Sequence, residues 1–201
     1  MLEYFTAAKT LIDCFGAVKE HAKRGQSGTR QDFDQLVTPI YDALPPLIDN
    51  YLLIFTTAKK AIRAAQTFQD VVVASEILRD QRAKFLATRI RVRGEADALY
   101  YIVKDPEIRR FMYAVARIFD APFYGVSRSG ERKMSASAYV EGMFSDLEHL
   151  RPVAENWNDS RQQIDASIVA AQNFLELNWA KVVQEYSAMK GGHLVKSERL
   201  N

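Results

Sequence analysis

The fold of this chain is decided by residues 71–104, which read VVVASEILRDQRAKFLATRIRVRGEADALYYIVK. Large apolar side chains recur here at strict seven-residue intervals, at Val71, Leu78, Phe85, Val92 and Leu99. Seven residues complete about two turns of an α-helix, so these side chains share one side of it. The stretch therefore predicts a long amphipathic helix, and Gly94 is the residue at which it is most easily interrupted.

Capping residues predict where helices begin before this stretch. Thr38 precedes Pro39, and an N-cap followed by proline is typical of a helix start. Pro45-Pro46 follows closely, and proline lacks an N–H and clashes with the preceding turn. We therefore expect this second helix to be short and to break or bend there. Thr67, with Asp70 three residues later, resembles a capping box that starts the long helix.

The second half of the chain shows similar signals. Asp105-Pro106-Glu107 combines an N-cap, a proline and an acid, and predicts the start of a short helix with a dense apolar face. Residues 122–134, PFYGVSRSGERKM, are rich in Gly and Ser and predict the longest loop. A helix is expected to resume near Ser135–Ser137. The last helix is expected to begin at Asn158 and to end at Gly191-Gly192.

These segments, with a further helix predicted over residues 2–24, define the expected fold class. No stretch alternates apolar and polar residues for long enough to predict a strand. We therefore predict an all-α protein, an antiparallel bundle of about six helices without a β-sheet. Residues 1–190 would form a single domain and residues 191–201 a flexible C-terminal tail.

Composition excludes several classes of protein. Of the 201 residues, 48% are hydrophobic and 26% charged, the balance of an ordinary globular protein. The net charge of +2 by itself favours neither nucleic-acid nor membrane binding. The single cysteine, Cys14, allows no intrachain disulfide and suits the cytoplasm. Glu3, Lys9 and Asp13 interrupt any signal peptide, and no apolar stretch is long enough to span a bilayer.

No pattern typical of catalysis, metal binding or cofactor binding is present in the sequence. The three histidines are His21, His149 and His193, and only Asp146 with His149 has a helical ligand spacing, which a hydrogen bond explains more simply. Cys14 lies in a predicted apolar helix, which favours a buried thiol. No phosphate loop, dinucleotide fingerprint or nucleophile elbow occurs. We therefore expect a protein that is not an enzyme and holds no cofactor or metal.

The most distinctive polar feature is a run of basic residues along the long helix. Arg79, Arg82, Arg89 and Arg93 fall within about 80° of one another on a helical wheel. The simpler interpretation is that they pair with acids on neighbouring helices, such as Asp146, Glu148 or Glu155. Alternatively they contact a partner, and basic residues of the long loop would extend that surface. The predicted partner-binding residues are Arg79, Arg82, Arg89, Arg93, Arg128, Arg132 and Lys133.

Aromatic pairs near predicted helix ends also bear on partners. Tyr100-Tyr101, Phe123-Tyr124 and Trp157 lie where aromatic side chains either anchor interfaces or cover the core. We therefore expect a non-enzymatic interaction protein, a subunit or adaptor of a larger complex or a self-associating scaffold. One alternative is a peripheral membrane-binding bundle that inserts an apolar face of its first helix. A second is a nucleic-acid-binding accessory protein that uses the basic run from Arg79 to Arg93.

Overall fold

The computed structural model of this protein describes residues 33–67, 69–70, 83, 85–120, 122–127, 130–135 and 157–198. Four long helices account for most of them, which confirms the predicted helical character. The helices are α1 (Thr38–Ala64), α2 (Leu86–Ile102), α3 (Pro106–Asp120) and α4 (Trp157–Glu198). The helices predicted over residues 2–24 and from 136 to 150 lie outside the described residues.

Helix α1 begins differently from the prediction. A π-helical turn over Phe33–Val37 leads directly into it, so helical backbone starts five residues before Thr38. The Thr38 hydroxyl donates a hydrogen bond to the Phe33 carbonyl at 3.4 Å and does not act as an N-cap acceptor. Phe33 and Val37 are buried. Burial of these two side chains explains why the helical run extends further back than the capping signal indicates.

The predicted break at Pro45-Pro46 is wrong, because α1 continues through both prolines to Ala64. Leu44, Leu47 and Ile48 beside them are buried, and burying such side chains gives about 1.5–3 kcal/mol each. That gain offsets the helix penalty of about 3 kcal/mol per proline. Each proline leaves the carbonyl four residues before it without a donor, at Tyr41 and at Asp42. Asp42 and Pro46 are both exposed, so water can bind the Asp42 carbonyl.

The junction between α2 and α3 follows the prediction closely. Helix α2 runs through Gly94 without interruption, and Val92 and Leu99 of the heptad series are buried. Val71 and Leu78 lie outside the described residues. Phe85 lies in a turn directly before α2 and is only partly buried. The predicted long helix is therefore wrong at this position, since helix α2 begins only at Leu86. Asp105 caps α3 as predicted, because its Oδ1 accepts hydrogen bonds from the backbone N–H of Glu107 at 2.8 Å and of Ile108 at 3.1 Å.

The apolar face predicted for α3 is confirmed as part of the core. Its members are all buried: Ile108, Phe111, Met112, Val115, Ile118 and Phe119. They recur three and four residues apart, so they occupy one side of the helix. The opposite side of α3 is therefore left to solvent.

The described residues fall into two compact units, of which the first contains residues 33–47, 86–117 and 178–198. Aromatic rings join its helices. The Tyr41 and Tyr186 rings stack with centroids 3.7 Å apart, and Trp179 stacks on Tyr41 at 5.8 Å. Phe33 and Phe111 contact the Tyr186 ring at 5.4 and 6.1 Å. The start of α1, the middle of α3 and the end of α4 are thus packed together by aromatic contacts.

The second unit contains the described residues within 48–85 and 118–177. Its buried aliphatic and aromatic side chains include Ile54, Phe55, Ile62, Ile168 and Leu175. On its surface, α1 and α4 are joined by a bidentate pair, in which Arg63 donates from Nε and Nη2 to the Asp165 carboxylate at 2.9 and 2.7 Å. This hydrogen-bonded contact raises the pKa of Arg63.

One half of the capping box predicted at Thr67 and Asp70 is present in the second unit, because the Thr67 N–H donates to the Asp70 carboxylate, whereas the Thr67 hydroxyl also donates to that carboxylate and does not accept the backbone N–H of Asp70. The Asp70 carboxylate accepts hydrogen bonds from the backbone N–H of Gln66 and Thr67 and from the Thr67 hydroxyl, at 3.0, 2.9 and 3.1 Å. Residues 69–70 are helical. The backbone hydrogen bond from Thr67, followed by that from its side chain, lowers the pKa of Asp70.

A short hairpin replaces the predicted long loop. Strands β1 (Pro122–Ser127) and β2 (Gly130–Ser135) pair antiparallel, from Pro122 opposite Ser135 to Ser127 opposite Gly130. The prediction of no β-sheet is therefore corrected at this segment. Only two residues connect the strands, and β1 carries Phe, Tyr and Val, which favour extended backbone. The glycines that predicted a loop, Gly125 and Gly130, lie within the two strands.

Helix α4 is longer at both ends than predicted. It begins at Trp157 rather than Asn158, and its helical backbone continues past Gly191-Gly192 to Glu198. The predicted end is wrong because Gly191 does not adopt the left-handed conformation of a helix-terminating glycine. Glycine inside a helix costs only about 1 kcal/mol relative to alanine, which the rest of a 42-residue helix tolerates.

A candidate protein-interaction surface

The predicted basic run does not form one exposed stripe in the described part of the chain. Arg89 in α2 is only 5% exposed, so it offers a partner almost no surface. Arg93 is half exposed, and its Nε lies 3.9 Å from Asp97 Oδ2 one turn further along α2. Arg132 and Lys133 lie in β2, opposite Gly125 and Tyr124. Arg79, Arg82 and Arg128 lie outside the described residues.

A different surface stands out at the junction of α2 and α3. Five large hydrophobic side chains are exposed among the described residues, and three of them lie here: Tyr101 at 81%, Tyr113 at 51% and Ile102 at 39%. The other two, Leu53 and Leu177, lie in the second unit. We call the surface that these three form with Tyr100, Arg109 and Arg117 the tyrosine–arginine patch. It lies wholly within the first unit.

Tyr100 is the centre of the patch. Its ring meets the edge of the Tyr101 ring at a centroid distance of 5.1 Å and the Tyr113 ring at 5.9 Å. Tyr100 and Tyr101 lie in the last turn of α2, and Tyr113 projects from the solvent side of α3. The Asp105 cap fixes where α3 begins, so it also fixes how these two groups of rings meet.

Arg109 holds the two helices together at the patch. Its guanidinium carbon lies 5.1 Å from the centre of the Tyr100 ring, and its Nε donates to the Tyr100 carbonyl at 3.2 Å. That carbonyl is one of the last four of α2, which have no partner within their own helix. A cation at this end also interacts favourably with the helix dipole. The η nitrogens of Arg109 hydrogen-bond to no described residue.

Arg117 makes a similar contact with Tyr113, about two turns further along α3 than Arg109. Its guanidinium carbon lies 5.8 Å from the centre of the Tyr113 ring, and its Nη1 donates to the Tyr113 hydroxyl at 3.3 Å. Arg109, Tyr113 and Arg117 are four residues apart in sequence, so they form an inclined ridge along the solvent side of α3. Arg110, beside this ridge, lies 3.9 Å from Glu185 of α4.

These contacts give the patch the properties of a binding surface. Tyrosine and arginine are enriched at the centres of protein interfaces, because both combine a large contact area with hydrogen-bonding groups. Here the rings and guanidinium groups already hold one another in place, which reduces the side-chain entropy lost on binding. The patch can therefore supply apolar area, three tyrosine hydroxyl groups and two cations to one partner.

The sequence pointed to part of this surface. Tyr100-Tyr101 was among the aromatic pairs that either anchor an interface or cover the core, and Tyr101 is exposed. Arg109, Tyr113 and Arg117 were missed, because α3 was interpreted only through its buried face. Their spacing of four residues, opposite that face, was the available signal.

Two other candidates are weaker. A shallow cleft of about 310 Å³ in the second unit is lined by Arg63, Arg161, Gln162 and Asp165. Arg63 is paired with Asp165, and Arg161 donates a hydrogen bond to the Arg63 carbonyl at 3.4 Å, so both cations of the cleft already have partners. For metals, the described residues contain no group of three His, Cys, Asp or Glu side chains that could hold an ion.

No protein-family model, curated protein or solved structure matches this chain. Among the residues that the structure describes, no helix combines the length and the apolar composition needed to cross a membrane.

Proposed function

We propose that this protein is a non-enzymatic interaction protein that binds another protein through its tyrosine–arginine patch. The observation that carries the proposal is the grouping of two exposed aromatic side chains, Tyr101 and Tyr113, which both contact the Tyr100 ring. Exposed apolar side chains grouped together are typical of binding sites, whereas scattered ones are ordinary. On this proposal the chain is a cytoplasmic subunit or adaptor, built on an antiparallel bundle of about six helices.

The geometry of the patch supports a protein partner. The tyrosine rings lie at the centre, around Tyr100, with Arg109 and Arg117 beside them, which is the arrangement of an interface core and its polar rim. The nucleic-acid alternative loses support because Arg89, in the middle of the basic run, is buried. The membrane alternative rests on the first predicted helix, which lies outside the described residues.

Affinity capture from the native host tests the proposal. The wild-type chain would be compared with the double variant Tyr101→Ala, Tyr113→Ala, using quantitative mass spectrometry. The matched control is Leu53→Ala, Leu177→Ala, which removes the two exposed hydrophobic side chains that lie outside the patch.

We expect at least one protein to be enriched by the wild type and the control and lost from the patch variant. Removing two interface tyrosines costs about 2 kcal/mol or more, which is about a 30-fold loss of affinity. Equal capture by all three chains, or no specific capture by any, would overturn the proposal. Matching circular dichroism spectra would show that the variants fold.

A further inference from the structure

The charges of the tyrosine–arginine patch indicate the chemistry of its partner. Arg109 and Arg117 are eight residues apart on α3, which corresponds to about 12 Å along the helix axis and about 80° around it. Tyr113 lies midway between them. From Pro106 to Arg117 the one acid is Glu107, which is about 160° around the helix from Arg109. The solvent side of α3 in this range therefore carries cations and no acid.

Both arginines keep hydrogen-bond donors for a ligand. Arg109 uses Nε for the Tyr100 carbonyl and Arg117 uses Nη1 for the Tyr113 hydroxyl. The η nitrogens of Arg109 and Nη2 of Arg117 hydrogen-bond to no described residue. Each guanidinium is already oriented by the ring beneath it. Oriented guanidinium groups bind carboxylates well, because their planar donors match the two carboxylate oxygens.

A second copy of this chain is a poor occupant of the patch. A symmetric contact would place the arginines of one copy against those of the other, and like charges across an interface disfavour binding. A single-stranded nucleic acid is also disfavoured, since such ligands stack their bases on aromatic rings. Arginines already lie over the Tyr100 and Tyr113 rings.

We propose that the tyrosine–arginine patch binds an acidic segment of another protein, with two carboxylates about 12 Å apart and an apolar side chain between them. This inference rests on the proposed interaction function and names the partner's chemistry. In a partner helix, the spacing corresponds to two Glu residues eight positions apart with a Leu midway. In an extended segment it corresponds to about four residues. The carboxylates would bind Arg109 and Arg117. The apolar side chain needs no open ring face, and would pack on the part of Tyr113 that Arg117 leaves exposed, which is about half of it.

Synthetic peptides test the inference by fluorescence anisotropy. The probe is a labelled, alanine-based helical peptide with two Glu residues eight positions apart and Leu midway. One control peptide replaces both Glu residues with Gln, and another moves the two Glu residues six positions apart. A labelled single-stranded RNA of random sequence provides the nucleic-acid comparison. Each ligand is titrated with the wild-type chain and with Arg117→Gln, Arg117→Lys and Lys60→Gln.

We expect the wild-type chain to bind the first peptide about tenfold or more tightly than either control peptide. This difference in affinity should become larger as the salt concentration is lowered. Arg117→Gln should weaken this binding about five- to tenfold, and Arg117→Lys should restore part of it. Lys60→Gln removes an equal charge from an exposed position of α1 and should have no effect. The affinity of the Gln peptide should be the same for the wild type and for these variants.

Equal affinity for the Glu and Gln peptides, or no binding of either, would overturn the inference. So would RNA binding that depends on Arg117 while the peptides do not bind. Failure here is distinguishable from failure of the proposed function. If capture from the host still depends on Tyr101 and Tyr113, the patch is an interface whose partner is not acidic.

Discussion

Replacing Asp105 with alanine should destabilise the junction that builds the tyrosine–arginine patch. The Asp105 carboxylate accepts two backbone hydrogen bonds, at 2.8 Å from Glu107 and 3.1 Å from Ile108, and both are partly buried. Loss of an N-cap side chain typically costs about 0.5–2 kcal/mol. Because both bonds involve a charged acceptor in a partly buried site, we expect a loss of about 1.5 kcal/mol in the free energy of unfolding.

Asp105→Asn is the matched control. It keeps an oxygen that can accept both hydrogen bonds and loses only the charge, so it should cost about 0.5 kcal/mol or less. Urea denaturation followed by circular dichroism measures both variants, and for a chain of this size Asp105→Ala should also lower Tm by roughly 3–6 °C. The reasoning is refuted if Asp105→Ala is as stable as the wild type, or if Asp105→Asn is equally damaging.

Three further predictions concern the core, acid stability and the end of α4. Phe111→Ala removes a fully buried ring that contacts Tyr186 and should cost about 3–5 kcal/mol in urea denaturation; a loss below about 1 kcal/mol would contradict its burial. The folded-state pKa of Asp70 lies below its ordinary value, so its contribution to stability is present above roughly pH 4 and is lost as the pH falls through that lowered pKa. An NMR titration should show that the pKa of Asp70 is lowered, and Asp70→Asn should remove this part of the dependence of stability on acid pH. An Asp70 pKa at its ordinary value would contradict the hydrogen bonds between Asp70 and Thr67. Gly191→Ala adds a methyl group that meets no atom within 4 Å and should stabilise the chain by about 0.5–1 kcal/mol; destabilisation would indicate that α4 ends at this glycine.

Local signals in the sequence predicted local structure well. The Asp105 cap and the buried face of α3 were both predicted, because a capping residue and a helical spacing act within a few residues of each other. The break at Pro45-Pro46 was predicted from equally local information and was wrong. There the burial of Leu44, Leu47 and Ile48 decides the conformation, and burial depends on residues far away in the sequence.

The candidate site was predictable only in part, for a similar reason. Tyr100-Tyr101 was noticed because it lies near a helix end, but the sequence does not say that Tyr113 lies beside Tyr100. Arg89 belonged to the predicted basic stripe because of its position on a helical wheel. A wheel gives the direction of a side chain but not what packs over it, and Arg89 is buried.

Site-specific photo-crosslinking in the native host tests the central claim most directly. A photoreactive phenylalanine analogue would replace Tyr101 in one chain and Leu53 in another, since both positions are exposed and only the first lies in the tyrosine–arginine patch. We predict a discrete covalent adduct with a second protein from position 101 and none from position 53. The same adducts from both positions, or no adduct from position 101, would contradict the claim that this patch binds a protein partner.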